Sequence, residues 1–498
     1  MNVETAARLM NASISEMTRE ETLRGEVAGF AVDSRAVEPG QIFFAGSEED
    51  YRRHRFTGAK FEDSHRFIPQ AFERGAAAVV ARRERFEMYE ELRSFADRLL
   101  FVDDTIGALQ TLAQRVLKAW AQPIIGITGS AGKTTTRNLT AHVLTSAGRR
   151  VLQSQKNYNN ELGLPLAILQ MESAGNSPSD YDVAVLEMGM STPGEMKRLC
   201  EIVQPDIAVE LLISPVHLEF FGTVERIAEG KAELVKALDE RGTAVLNADD
   251  ERIARMRELH QGRTITFGIE READVTAFEI EDTQLELVRF KLRTPLGEAR
   301  VELPLPGRHN LMNALAAAAI ATCFNVAPDK IATALATAAP SAMRGEILHF
   351  KNGFTVVDDS YNSNPRSLVS MVQALAAGGR AERVKRRIVI AGEMLELGPE
   401  AGAMHRDTGR EIGRAGVDFL WGVRGHAHEF LQGAREAGMS DERMQFFEDS
   451  EAAGSALIEW AQAGDLILVK GSRGVKTDRV VKMLSERFET DDEVRNNG

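Results

Sequence analysis

Cysteine is nearly absent. The two present, Cys200 and Cys323, stand far apart and lack the paired spacing of a metal site. That fits a reducing compartment and argues against structural zinc. Positive charge is in deficit: 60 Lys and Arg face 74 Asp and Glu, a net charge of −14. A nucleic-acid-binding surface needs a basic face, so a nucleic-acid partner is not expected. The short basic runs Arg52-Arg53-His54-Arg55 and Lys385-Arg386-Arg387 read as solvated faces, the first also suited to an anionic ligand. Long apolar runs are missing. The longest, residues 314–324, is Ala-rich and far short of a membrane span, and the N-terminal MNVETAARLM has no basic-then-apolar signal pattern. A cytoplasmic protein with no membrane span is expected. G-x-G-x-x-G is also absent, which argues against a nicotinamide cofactor.

What is present is a soluble composition, 43% apolar and 27% charged, in 498 residues. That length exceeds one core, and about three domains are expected. Residues 1–118 read as a smaller N-terminal α/β domain, with strands at 27–32, 41–45, 77–81 and 99–102 and helices at 67–74 and 105–120. Residues 119–341 read as a central domain. Strands at 150–152, 182–186, 206–212 and 242–246 alternate with helices at 133–147, 194–203 and 224–238, which implies a parallel sheet covered on both faces. From 265 to 303 the pattern changes: polar and apolar residues alternate through 276–292 and 300–303 around the turn Pro295-Leu296-Gly297, an antiparallel addition, before helices at 309–324 and 328–336. Residues 340–345 read as a linker. Residues 342–498 read as a C-terminal Rossmann-like domain with strands at 354–358, 387–391, 418–421, 444–447 and 465–469, and an acidic tail after Phe488 expected to fray.

The chain is organised around residues 123–136, PIIGITGSAGKTTT. An apolar run, Ile124, Ile125 and Ile127, enters the turn Gly129-Ser130-Ala131-Gly132 and then a helix start at Lys133, Thr134 and Thr135. Strand, glycine turn and helix N-terminus in that order make an anion cradle, because backbone N–H groups converge and the helix dipole adds partial positive charge. Lys133 can reach the β- and γ-phosphates of ATP, and the Thr134 hydroxyl can ligate Mg²⁺. The strict pattern asks for glycine where Ile127 stands, so the match is the shorter G-x-x-G-K-T.

Other polar clusters follow strands, where open α/β sheets bind ligands. Glu187, in VLEMGM, is placed to hold Mg²⁺ beside the phosphate loop, against the bland alternative of a surface carboxylate. His217, in SPVHLEFFG, sits in a polar loop near the same nucleotide, while Lys231 reads on physics alone as a solvated helix lysine. Asn159 and Asn160 lie in an Asn-rich turn suited to a polar substrate or simply to a left-handed backbone. Asn310 either caps a helix or, with Asn313 a turn later, faces a ligand. Asp358, Asp359, Tyr361, Asn362 and Asn364 end a strand of the third domain as a candidate site, with Asn364 alternatively a helix cap. Lys470, Arg473 and Lys476 can bind an anion; His405, His426 and His428 read as structural or surface residues.

Together TGSAGKTT, NYNNELGLP, LEMGMSTPGEM, HLEFFGTVERIAEGKAEL, LPGRHNLMNALAA, MRGE, VVDDSYNSNP, AGEMLELG and LVKGSRGVK resemble, in order, the ATP-dependent Mur ligases. The resemblance covers nearly the whole chain. It is weakest over residues 46–66, where EEDYRRHRFTGAKFEDSHRF replaces a shorter family segment and Ser64 precedes His65. It implies a three-domain α/β ligase that activates the carboxylate of a UDP-N-acetylmuramoyl-tripeptide with ATP. The amine of D-alanyl-D-alanine then attacks the acyl phosphate, an amide forms, and ADP and phosphate are released in peptidoglycan precursor synthesis. By resemblance, Gly129 to Thr135 hold the nucleotide phosphates; Thr134, Glu187 and His217 lie at metal sites; and Lys231 carries a carbamate. Lys133, His217, Lys231 and Arg344 take catalytic roles. Asn310, Asn313, Arg344 and Asp359 lie near ATP, and Ser34 and Arg35 match the uridine-nucleotide segment. The protein is expected to be a monomer. A sister ligase adding one amino acid, or a nucleotide-driven switch that forms no bond, are the alternatives.

Overall fold

Three sheets, each flanked by helices, account for the chain. The computed structural model describes residues 1–56, 62–155, 157–284, 287–378 and 384–491. The tail beyond 491 and the middle of the unusual 46–66 segment lie outside the described residues. In the first sheet the order is β1 (Ser13–Ile14), β5 (Leu99–Val102), β4 (Ala78–Arg82), β3 (Gln41–Phe44), β2 (Gly29–Ala31). β2 to β5 run parallel, and the short β1 pairs antiparallel with β5.

The central sheet has nine strands. Its parallel part runs β7 (Val151–Gln153), β8 (Val183–Glu187), β6 (Ile124–Thr128), β9 (Ile207–Glu210), β10 (Thr243–Asn247), β11 (Arg263–Gly268). Then follow β12 (Val275–Gln284), β13 (Leu287–Thr294) and β14 (Gly297–Leu303). The antiparallel addition begins at β12, where the alternation starts, and not at 265. β11 pairs parallel with β10, and β12 joins β11 parallel at Phe267↔Val275. Only β12, β13 and β14 are antiparallel. The third sheet runs β15 (Glu346–His349), β16 (Thr355–Asp359), β20 (Asp465–Lys470), β17 (Arg386–Gly392), β18 (Phe419–Val423), β19 (Met444–Phe447); only the edge strand β15 is antiparallel.

The helix Thr105–Trp120 is capped by the Asp104 carboxylate, which accepts from Gly107 N–H at 3.0 Å. Its apolar stripe does not close off the first domain. Leu109 and Leu112 share one core cluster with Leu164, Leu169 and Leu186 of the central domain. Burying a leucine is worth about 1.5–3 kcal/mol, so this continuous core ties the first and central domains together. The third domain keeps two cores of its own, around Val389 and Leu468 on one face of its sheet and Ile388 and Ile467 on the other.

Among the described residues no helix is long and apolar enough to cross a membrane. The helix expected at 224–238 is two, Val224–Lys231 and Glu233–Lys236, separated by Ala232.

Candidate active site

β6 lies between β8 and β9, and the register Ile127↔Glu187 and Thr128↔Glu210 brings three strand ends to one point. The phosphate loop leaves β6 there and enters the helix Lys133–Ser146. Its glycines are forced. Gly132 has φ 87°, and a Cβ there would strike Asn313; at Gly129, φ 151°, a Cβ would lie 2.9 Å from that of Leu211. Ser130 ties the loop down: its N–H donates to the Leu212 carbonyl at 2.7 Å and its hydroxyl to the Ser214 carbonyl at 3.2 Å. Lys133 Nζ folds back onto the Gly129 carbonyl at 2.8 Å. Burial lowers the Lys133 pKa and the nearby Arg344 lowers it further, against the pull of Glu187.

Glu187 is buried at the end of β8. One carboxylate oxygen accepts from the Thr134 hydroxyl at 2.8 Å and lies 3.5 Å from the Arg137 guanidinium; the other accepts from Asn159 Nδ2 at 2.8 Å. Among the described residues no group of three or more His, Cys, Asp or Glu is arranged to hold a metal. One carboxylate and one hydroxyl at a phosphate loop nevertheless suit Mg²⁺, which takes few protein ligands and completes its shell with phosphates and water. His217 has a left-handed backbone, φ 55°, and its imidazole touches the Glu396 carboxylate of the third domain. That contact lowers the Glu396 pKa.

The phosphate loop opens into a cleft of about 450 Å³ walled by all three domains. From the sequence-derived set, Ser130, Ala131, Gly132, Lys133, Thr134, Thr135, Asn159, Asn160, Glu187, His217, Asn310, Asn313, Arg344, Asp359, Tyr361, Asn362 and Asn364 all line it. Arg344 lies over the Tyr361 ring at 3.8 Å. Lys470 spends its ammonium on the Asp359 carboxylate and on the Asn362 carbonyl, the latter at 2.9 Å. Asn364 also accepts from Ser367 N–H at 2.9 Å, so capping and lining coincide there. Asn310 is not the cap of its helix. That position is Gly307, and Asn310 Nδ2 donates to the Pro306 carbonyl at 2.7 Å.

Other residues singled out in the sequence lie outside this cleft. Ser34 and Arg35 lie outside the cleft, after the edge strand β2; Ser34 donates to Gln70 and Arg35 is held by Asp33 in a two-point pair at 2.9 and 2.8 Å. Asp358 also lies outside. Consecutive strand residues face opposite sides, so with Asp359 in the cleft its neighbour turns away and accepts from Ser360. Burial raises Asp358 to about 6. Arg473 and Lys476 do not line the cleft either, and Arg473 faces Asp478 at 3.4 Å.

Lys231 is not the solvated lysine of the simple reading. It is 2% exposed. Burial, then the charge of Lys133, lowers it to about 7 against the attraction of Glu210 and Glu195. Glu210 was not foreseen. It is fully buried at the end of β9, and neither carboxylate oxygen has a hydrogen-bond partner among the described residues. Burial pushes its pKa well up, although Lys231 pulls it down.

A second cavity, about 910 Å³, adjoins the cleft and shares Ala131, Gly132, His309 and Asn313 with it. Leu211, Leu212, Phe267 and Met312 form apolar walls, and Arg366 and Ser370 come from the third domain. Sequence reasoning missed it, because apolar residues from separate elements carry no local signature.

Residues 127–321 match the family model described as Mur ligase middle domain, and residues 343–473 match that described as Mur ligase, glutamate ligase domain. The chain is 31% identical over 486 residues to the UDP-N-acetylmuramoyl-tripeptide--D-alanyl-D-alanine ligase of Bacillus subtilis (strain 168), covering 97% of this chain and 98% of that one. It is similar to the solved UDP-N-acetylmuramoylalanyl-D-glutamyl-2,6-diaminopimelate--D-alanyl-D-alanyl ligase from Acinetobacter baumannii, with TM-score 0.78 and 27% identity over 97% of this chain and 98% of that chain. It is also similar to the MurF ligase from Thermotoga maritima solved in complex with ADP, with TM-score 0.76 and 26% identity over 94% and 99% of the two chains.

Proposed function

The chain belongs to the Mur ligase family, and from that premise we propose that it joins the carboxylate of a UDP-N-acetylmuramoyl-tripeptide to the amine of D-alanyl-D-alanine, with ATP converted to ADP and phosphate. One observation carries the reading: phosphate loop, Asn-rich turn and third-domain polar cluster line a single cleft. A bond-forming enzyme needs its nucleotide and both joining partners at one place.

The apolar second cavity suits the adenine ring, and its continuity with Ala131 and Gly132 leads the triphosphate into the loop. A substrate carboxylate oxygen attacks the γ-phosphorus, the bond to ADP breaks, and an acyl phosphate forms. The amine nitrogen then attacks the carbonyl carbon, phosphate leaves, and the nitrogen loses its proton. Both steps crowd anions together. Lys133 and Arg344 offset that repulsion, Lys133 by leaving the Gly129 carbonyl for the phosphates. Thr134 and Glu187 would hold Mg²⁺, which neutralises phosphate charge. His217, on the same cleft, belongs to this metal region.

Lys231 is suited to carbamylation. The reaction needs a neutral amine, and a pKa of about 7 supplies one near neutral pH. Asp359, Tyr361, Asn362 and Asn364 form the wall assigned to the dipeptide, and Asn159 and Asn160 face the UDP-linked peptide. A third domain with its own cores can close over the acyl phosphate and exclude water. We take the protein to be a monomer working in the cytoplasm, where ATP and a UDP-linked precursor are at hand.

The test is phosphate release from ATP with purified protein. It should require the UDP-tripeptide and the dipeptide together. Release with neither would favour a nucleotide-driven switch.

A further inference from the structure

The first domain sends a short cationic finger into the cleft. The helix Glu48–Arg53 begins with a capping box between Ser47 and Asp50 and stops at His54. Arg55 then adopts a left-handed backbone, φ 57°, and Phe56 packs edge-on against Tyr51 with ring centroids 5.7 Å apart. His54, Arg55 and Phe56 all line the cleft. A helix normally reserves that left-handed position for glycine. A long cation held there against its backbone preference is a strained residue at a binding surface, which points toward function.

His54 explains how the finger is held. Its Nε2 lies 2.8 Å from the Asp104 carboxylate of the first domain, and its Nδ1 lies 3.6 Å from Glu161 of the central domain. Glu161 in turn accepts from Arg198 Nε at 2.6 Å. Asp104 caps its helix and also lies 3.6 Å from Arg53. Glu195, the other acid on this wall, accepts from the Ser191 and Thr192 amides. Each acid near the finger is therefore engaged. Arg55, exposed to the cleft, makes no ion pair among the described residues.

An unpaired guanidinium on a cleft wall calls for a carboxylate or phosphate. The phosphates of ATP belong to the loop on the central domain. The UDP-linked peptide carries further anions. A D-glutamyl residue and a diaminopimelate, as in the name of the Acinetobacter baumannii relative, keep carboxylates beyond the one that is activated. We propose that Arg55 recognises a non-reacting carboxylate of the UDP-linked peptide, and that His54, bridging Asp104 and Glu161, is the residue that positions it. The inference rests on the ligase reading above.

The experiment compares wild type with Arg55→Gln, His54→Gln and the double variant, after thermal melts establish that each is folded. KM and kcat are measured with three UDP-tripeptides: one with a diaminopimelate third residue, one with its D-glutamyl carboxylate amidated, and one with lysine in third place. Direct binding of each UDP-tripeptide without ATP is measured by calorimetry. Arg55→Gln should raise KM and Kd for the full peptide by about tenfold or more, the range of a charge-assisted hydrogen bond. KM for ATP should stay unchanged. One of the two carboxylate-deleted peptides should show no difference between wild type and Arg55→Gln, which identifies the group read. His54→Gln should raise the same KM with kcat held, and the double variant should be no worse than Arg55→Gln alone. Equal losses on all three peptides, or no loss, overturn the role of Arg55. An additive double variant overturns the positioning role of His54. If wild type neither binds nor turns over any UDP-tripeptide, the ligase reading itself fails and this inference falls with it.

Discussion

The Thr134 hydroxyl donates to the Glu187 carboxylate at 2.8 Å, joining the helix after the phosphate loop to the end of the neighbouring strand. Both groups are buried, and both are oxygen ligands of the kind Mg²⁺ takes. Glu187→Ala and His217→Ala should therefore each raise the Mg²⁺ concentration needed for half-maximal activity. A magnesium titration of each variant checks this. Unchanged curves for both would make the two residues structural.

The Lys133 ammonium rests on the Gly129 carbonyl of its own loop, so removing it disturbs little else. Lys133→Ala should keep its melting temperature and lose about 10²–10³-fold in kcat, the scale seen when a stabilising donor is removed from a transition state. A folded variant with near-normal turnover would sink the phosphate-loop assignment.

Lys231 is buried with a pKa of about 7. Lys231→Ala should lose activity, and short carboxylic acids should partly restore it. With ¹³C-labelled bicarbonate, wild type should show a carbamate resonance that Lys231→Ala lacks. No such signal, together with full activity of the variant, would leave Lys231 as a buried lysine and nothing more.

Acceptor choice tests the third-domain wall. A single amino acid would leave part of that polar wall unpaired, at about 1–3 kcal/mol for each group. kcat/KM should therefore favour D-alanyl-D-alanine over D-alanine by at least about tenfold. Asn362→Ala should weaken use of the dipeptide more than binding of ATP. Asn364→Ala is less clean, since it also removes the bond from Ser367 N–H. Equal kcat/KM for the two acceptors would move the protein to a sister ligase.

His54 gives a pH dependence. Burial pulls its imidazole down, but Asp104 and then Glu161 outweigh this and raise it to about 9. The folded state thus binds a proton more tightly than the unfolded chain. Its contribution to stability is full below about 6.5, the ordinary histidine value, and is lost as pH rises through about 9. The charged groups around it are Asp104, Glu161, Arg53 and Arg198. The difference in melting temperature between wild type and His54→Gln should be largest near pH 6 and vanish above pH 9. A difference independent of pH would show that the bridge is not ionic.

The residue order alone was enough for the features that depend on neighbours in the chain. The helices Thr105–Trp120 and Pro328–Ala336 fall where periodicity puts them. The phosphate loop was legible because strand, glycine turn and helix start are contiguous, and Glu187 because it ends an apolar run. What no local pattern carries is the order of strands. β6 stands between β8 and β9, and only that arrangement sets Glu187 and Glu210 on either side of Thr128 and the loop. Glu210 follows an apolar run as Glu187 does, but burial without a partner is a property of its surroundings. Likewise, alternation along β16 says that Asp358 and Asp359 face opposite ways, yet which of them meets the cleft depends on how the third domain docks. The bridge from Asp104 through His54 to Glu161 joins positions 50 or more residues apart in sequence. Chemistry at a point in space is set by which elements converge there, and convergence is decided by packing.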